Sequence, residues 1–149
     1  LRENGTVGAV ETLDFSAFDG QEDALRALGV RITPGLSASV DLEPEHVTVA
    51  ADGKTAAVTL QENNAIAFLD VETGTITRIV GLGLKDHSLP GNGLDASDRD
   101  GAINIATWPV FGLYQPDGIA SFEVDGETFW VTPATARTRA SRRPWAAAS

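Results

Sequence analysis

The stretch EHVTVAADGKTAAVTLQENNAIAFLDVETGTITRIVGL, residues 45–82, decides the fold of this chain. It contains four short runs of β-branched and small apolar residues, which read HVTVA, TAAVTL, AIAFLD and TITRIV. The gaps between the runs carry Asp52-Gly53, QENN at 61–64 and VETG at 71–74, and residues of these types favour tight turns. The pattern predicts an up-and-down antiparallel meander of four strands.

Apolar side chains are expected on both faces of this sheet. Strand residues alternate between faces, so Ile66 and Phe68 project to one side while Ala67 and Leu69 project to the other. Such a sheet needs a packing neighbour on each side. Radial repetition of four-stranded sheets of about 40 residues is a β-propeller, and residues 45–82 are therefore interpreted as one complete blade.

The flanking sequence repeats parts of this blade. Residues 116–132 (PDGIASFEVDGETFWVT) again place a proline before an alternating run, an Asp-Gly turn and a second run, which predicts the start of the next blade. Residues 6–15 resemble AIAFLDV and predict the third strand of a preceding blade. The expected fold class is all-β, a partial β-propeller with one complete blade and parts of two neighbours. Because a closed propeller needs at least about four blades, and because the chain contains no Met, we expect it to be a fragment of a larger propeller.

The remaining segments are expected to lie around this core. Residues 15–29 carry capping and dipole signals for a short helix, and residues 30–40 predict a strand interrupted at Pro34-Gly35. The predicted organisation is a partial propeller over 1–132, made of the blade at 45–82, a long irregular insertion at 84–114 and the next blade from 115 to 132, followed by a basic, disordered tail at 133–149.

The charge pattern narrows the classes of partner. The formal net charge is −10, and all 21 acidic residues precede residue 131. This field repels phosphate backbones, which argues against nucleic-acid binding, and it permits divalent cations. The chain has no Cys for disulfides or thiolate metal sites, and no apolar run approaches the roughly 20 residues of a membrane helix. Open sheet edges favour self-association.

Two acidic segments are candidates for cation binding. Asp41, Glu43 and Glu45 alternate before the blade, so an extended backbone would place three carboxylates on one face, where they either recruit a cation or form a solvated loop. The second segment, DASDRDGAIN at 95–104, resembles part of an EF-hand or dockerin calcium loop. Its match is incomplete, and a hydrogen-bonded acidic turn is the alternative. The candidate metal ligands are Asp95, Asp98, Asp100, Asn104, Glu43 and Glu45, with calcium as the candidate ion.

Other polar residues carry weaker signals. The QENN corner at 61–64 favours a structural turn, although its amides and Glu62 could serve a ligand if the corner faces a cleft. His46 is expected to pack within a strand, and His87 has Asp86 beside it as an orienting acid. No nucleophile elbow or phosphate loop is present in the sequence, so the catalytic residues stay unknown.

Three segments carry a resemblance to a known family. They are VETLDFSAFDGQEDALRALGVRI, DLEPEHVTVAADGKTAAVTLQENNAIAFLD and the run from KDHSLPGNGLDASDRDGAINI to FWVT, which together span about residues 10–132. They resemble the choice-of-anchor I family of bacterial extracytoplasmic propellers, some of which are labelled alkaline phosphatase or likened to phytases. The blade is also similar to YVTN-type repeats of surface-layer propellers. The Arg- and Ala-rich end after Thr132 departs from the family's acidic continuation.

The resemblance implies an exported protein in an extracellular, periplasmic or cell-surface location. Two functions remain open. The first is a surface or binding module that contacts cell-surface or matrix material and takes calcium as its candidate ligand. The second is a calcium-dependent hydrolase of the phosphatase type, in which the acidic residues would hold the ions that bind a phosphoester.

Overall fold

The computed structural model describes residues 9–133. Its centre is a sheet of four strands, which are β1 (Val47–Val49), β2 (Thr55–Leu60), β3 (Ala65–Asp70) and β4 (Thr75–Gly81). The strands lie in the order β1-β2-β3-β4, with every neighbouring pair antiparallel. The predicted meander is therefore confirmed, and the mostly β character agrees with a partial propeller.

Short elements surround this sheet. The helical elements are a 3₁₀ turn (Ser16–Phe18), α1 (Glu22–Ala27) and α2 (Ala38–Asp41). The other strands are β5 (Leu84–Asp86), β6 (Leu94–Asp95), β7 (Ile105–Ala106), β8 (Phe111–Leu113), β9 (Ala120–Val124) and β10 (Glu127–Val131). Strands β5 and β8 pair with each other, as do β6 with β7 and β9 with β10, and all three pairs are antiparallel.

One face of the sheet is covered by the segment that precedes it. Side chains from the 3₁₀ turn, both helices and the loop between them form a single apolar cluster with β2, β3 and β4. Burying a Val, Leu, Ile or Phe side chain contributes about 1.5–3 kcal/mol, so this layer supplies much of the core. The buried members of the cluster are Phe15, Leu25, Val30, Ile32, Ala38 and Leu42 from the layer and Leu60, Ala65, Ala67 and Ile79 from the sheet.

The opposite face is covered by the β9–β10 hairpin. Trp130 packs against a second buried cluster that contains Ala57, Ile66 and Phe68. The rings of Phe68 and Trp130 meet edge to face with centroids 5.6 Å apart, a favoured aromatic geometry. The expectation of a packing neighbour on each side is met, with a helical layer on one face and a second β layer on the other.

Two expectations for the N-terminal part are wrong. Residues 30–40 form no strand, because the backbone turns at Pro34-Gly35 and then enters α2. The Thr33 N–H donates to the Asp41 side chain at 2.7 Å, which closes the turn on itself. Of the strand expected at 6–15, residues 9–14 are not strand, and the remainder before them lies outside the described residues. The tail from 134 onward also lies outside them.

The insertion at 84–114 is built from two nested strand pairs. The outer pair joins Leu84–Asp86 to Phe111–Leu113, and the inner pair joins Leu94–Asp95 to Ile105–Ala106. The Trp108 ring N–H donates to the Leu94 carbonyl at 3.0 Å and ties the pairs together. Trp108 is thus one of the aromatic residues of the segment that contacts its backbone.

Candidate functional site

The QENN corner between β2 and β3 joins three parts of the molecule. Asn63 is fully buried, and its amide group donates to the carbonyls of Arg31 and Asp41 at 2.9 and 2.8 Å. Its side-chain oxygen accepts from the Glu43 N–H at 3.0 Å. These bonds connect the sheet corner to the helical layer and to the segment that leads into β1.

Asn64 connects the same corner to the insertion. It is fully buried and has a φ of 54°, a left-handed conformation that Asn tolerates better than most residues. Its side-chain oxygen accepts from the Tyr114 and Gln115 N–H groups at 2.8 and 3.1 Å, and its amide donates to the Gly83 carbonyl at 2.7 Å. Both asparagines therefore act on the backbone, which supports the structural interpretation of the corner.

The acidic loop at 95–104 bonds mainly to itself. One oxygen of Asp95 accepts from the Ser97 N–H at 3.2 Å, and the other accepts from the Asn104 N–H at 3.1 Å. Asp100 accepts from the Ala102 N–H at 3.2 Å, and Asp98 lies 4.0 Å from Arg99. All of these residues are exposed. These bonds form a hydrogen-bonded acidic turn, and calcium binding by its carboxylates stays a prediction.

The alternation expected before the blade does not form. Asp41 is the last residue of α2 and accepts from Thr33, so it does not lie in an extended segment with Glu43 and Glu45. A helical residue cannot share the period-two alternation of a strand. The prediction that these three carboxylates share one face is therefore wrong, and of the three only Glu45 lies in a convergent group of ligands.

That convergent group consists of Glu45, His46 and Asp117. Each offers one ligand atom, and the three atoms lie within 4.8 Å of one another. His46 Nδ1 and Asp117 Oδ1 are 4.0 Å apart, with about half of each side chain exposed. Among residues 9–133 this is the one set of three metal-ligating residues that meets this distance, and it contains none of the loop aspartates.

The expectation that His46 packs within a strand is wrong. His46 lies one residue before β1 and is exposed. Sequence reasoning also missed Asp117. A usable signal existed, because Pro44-Glu45 and Pro116-Asp117 occupy the same place at the start of the two repeats.

His87 is buried within the insertion. One ring nitrogen lies 2.7 Å from the Asn92 carbonyl oxygen, and Gly112 leaves room for the other side of the ring. Asp86 accepts from the hydroxyl and the N–H of Ser88 at 2.7 and 2.9 Å, and these bonds lower the pKa of its carboxyl. The Asp86 carboxylate therefore bonds to Ser88, and the His87 ring is positioned by Asn92.

The outward face of the β9–β10 hairpin is apolar and exposed. Phe122 and Phe129 are paired across the two strands, and their rings stack with centroids 5.5 Å apart and an interplanar angle of 14°. Val124 and Val131 extend the same face, and both are about half exposed. An apolar face of this kind is typical of a surface that packs against another molecule or layer.

A family model described as the choice-of-anchor I domain matches residues 1–139, nearly the whole chain. The chain belongs to this family. Neither the comparison with curated proteins nor the comparison with solved structures gave a match. Membership of the choice-of-anchor I family indicates a surface-associated bacterial protein, on the cell surface or outside the cell. In the described part of this choice-of-anchor I domain, no helix is both long and apolar enough for a membrane span.

Proposed function

We propose that this choice-of-anchor I domain is a binding module of a surface protein, built from β layers that stack in series as propeller blades. The observation that carries the proposal is the exposed apolar face of the β9–β10 hairpin. A face with two stacked phenylalanines and two valines favours contact with a further apolar layer.

The repeat explains which layer belongs there. The Ser121 hydroxyl donates to the Val49 carbonyl at 2.9 Å, so the first strand of the second repeat lies beside the first strand of the blade. Ser121 and its cross-strand partner Trp130 face the blade, and the neighbouring pair Phe122–Phe129 faces away. In a stack of similar sheets, the outward face of the second sheet corresponds to the face of the first sheet that the β9–β10 hairpin covers. The occupant that fits is another β layer.

The binding role is tested with defined surface material. We expect the full chain to sediment with purified bacterial surface-layer protein, because the β-sheets of such a protein would present apolar faces and strand edges to the hairpin. The double substitution Phe122→Ser with Phe129→Ser should abolish this binding. The matched control is Val10→Ser, since Val10 is exposed at 83% and distant in sequence from the hairpin. Failure of the wild-type chain to bind, or equal binding by both variants, would contradict the proposal.

The hydrolase alternative is tested in the same samples. It requires carboxylates that gather around a phosphoester, and among residues 9–133 the proposed calcium ligands Asp95, Asp98, Asp100 and Glu43 do not join a convergent group. The geometry therefore favours the binding module. Turnover of a simple phosphoester such as p-nitrophenyl phosphate in the presence of calcium, lost when calcium is chelated, would reverse this preference.

A further inference from the structure

We propose that Glu45, His46 and Asp117 form a binding site for one divalent transition-metal ion of the Zn²⁺ type. The donor set contains two carboxylates and one imidazole. Imidazole selects Zn²⁺ and neighbouring transition metals, whereas an all-oxygen set favours Ca²⁺ or Mg²⁺. Three protein ligands leave room for water or a partner group to complete the tetrahedral shell that Zn²⁺ prefers.

The distances suit a shared ion. Two ligands bound at about 2.1 Å from one ion in a tetrahedral shell lie about 3.4 Å apart. His46 Nδ1 and Asp117 Oδ1 are 4.0 Å apart, and all three ligand atoms fall within 4.8 Å, so binding draws the ligand atoms closer together. Glu45 and His46 are exposed and Asp117 is half-buried, so the ion can draw the three ligand atoms together by rotation of side chains that lie outside the apolar core.

The backbone that carries the three ligands is held by a buried hydroxyl. Thr59 on β2 is fully buried, and its Oγ1 accepts from the His46 N–H at 3.1 Å. The same oxygen donates to the Asp117 carbonyl at 3.1 Å. The Glu45 N–H donates to the Thr59 carbonyl at 3.0 Å. One residue thus fixes the relative positions of two segments that are more than 70 residues apart in sequence, before any ion binds.

The repeat places the two carboxylates at equivalent points of successive β layers. Glu45 follows Pro44 just before β1, and Asp117 follows Pro116 just before β9. The neighbouring Ser121 contacts Val49 on β1, so these strands run side by side. An acid at the same place in each repeat therefore arrives at the same edge of the stack. His46 adds the nitrogen donor from the first repeat, where the second repeat has Gly118.

The test is isothermal titration calorimetry with Zn²⁺ on the full chain at pH 7.5. We expect one ion per chain. Loss of an outer-shell partner of a metal ligand already weakens binding about 10–100-fold, so His46→Ala and Asp117→Asn should each weaken it by at least about tenfold. The matched control is Asp52→Asn, an exposed acid in the turn between β1 and β2 that should leave the affinity unchanged. A wild-type chain that binds no Zn²⁺, or a loss in Asp52→Asn as large as in the two ligand variants, would overturn the site.

A second measurement needs no variant. In nitrogen-detected NMR spectra of the histidine rings, Zn²⁺ should shift the His46 resonances and leave those of His87 in place, because the His87 ring is buried against Asn92. Equal shifts of both rings, or a shift of His87 alone, would contradict the assignment. Calcium at the same concentration should fail to shift His46. The metal site is independent of the binding-module proposal. If the chain fails to bind in the sedimentation test, the shift of the His46 resonances by Zn²⁺ is still expected.

Discussion

At the scale of single residues, two buried asparagines hold the molecule together. Asn63 bonds to the helical layer and Asn64 bonds to the insertion, and no buried side-chain polar atom in the described residues lacks a partner. Buried polar groups cost stability unless they are paired. These side chains therefore act as fixed connections between segments, and each can be tested by truncation.

We expect Asn63→Ala to destabilise the chain by about 2–4 kcal/mol, because it leaves the Arg31 and Asp41 carbonyls and the Glu43 N–H without these hydrogen-bond partners. Urea unfolding measures this loss. The control is Asn104→Ala, which truncates an exposed amide in the acidic loop and should shift the midpoint little. An Asn63→Ala midpoint close to that of Asn104→Ala would show that the corner does not carry the connection.

Glu22 provides a pH-dependent connection between the helices. Its carboxylate accepts from its own backbone N–H and from those of Gly20 and Ala38, which lowers its pKa from 4.5. A lowered folded pKa contributes stability that is present above pH 4.5 and is lost as pH falls through the folded value. The urea midpoint of Glu22→Gln should therefore lie below that of the wild type at pH 7, and the two should converge below about pH 4.5. Glu43→Gln, with an exposed side chain, should show no such convergence; a gap for Glu22→Gln that does not narrow as the pH falls below 4.5 would contradict the mechanism.

At the scale of elements, β4 and the helical layer meet at Gly81. A Cβ at this position would lie 2.7 Å from the Gly29 carbonyl carbon and the Val30 nitrogen, and backbone atoms cannot rotate away as a side chain can. We expect Gly81→Ala to cost about 1–3 kcal/mol or more through this overlap. Gly118→Ala is the control, since a Cβ added there would meet nothing within 4 Å. Thermal unfolding compares the two, and equal midpoints would refute the close approach.

The acidic loop between β6 and β7 carries the calcium prediction that the sequence raised. If the loop binds calcium, titration should raise the unfolding temperature of the wild type, because binding to the folded state alone stabilises it. Asp98→Asn with Asp100→Asn should remove that increase, while Asp52→Asn in the β1–β2 turn should retain it. An unfolding temperature that does not respond to millimolar calcium would leave the loop as a turn closed by Asp95.

At the scale of the whole molecule, the layers are stacked and the outer face of the hairpin remains accessible. This face exposes Phe122 and Phe129, and such a face favours association between copies of the chain. We expect sedimentation velocity to show larger species as concentration rises. Phe129→Lys should reduce them, whereas Thr128→Lys, one residue away on the same strand, should reduce them less. A monomer at all concentrations would contradict this expectation.

The four-stranded meander could be predicted because its signals are local. Turn residues such as Asp52-Gly53 and the alternation in β2 and β3 act over a few residues and need no distant partner. The nature of α2 could not be predicted. Residues 38–41 have weak preferences, and their helical turn depends on bonds from the Ala38 N–H to the Glu22 carboxylate and from the Thr33 N–H to the Asp41 carboxylate. Such tertiary contacts override the intrinsic helix propensity of the residues.

The sequence by itself determined the four-stranded meander, the proline-led repeat that precedes β9, and the family to which the chain belongs. Only the tertiary structure decided that Glu45 and His46 meet Asp117 and that Asp41 does not join them. The physical reason is distance along the chain. Alternation and turn chemistry are set by neighbouring residues, whereas a cluster that spans more than 70 residues forms only when the second layer packs on the first and Thr59 bonds to both segments.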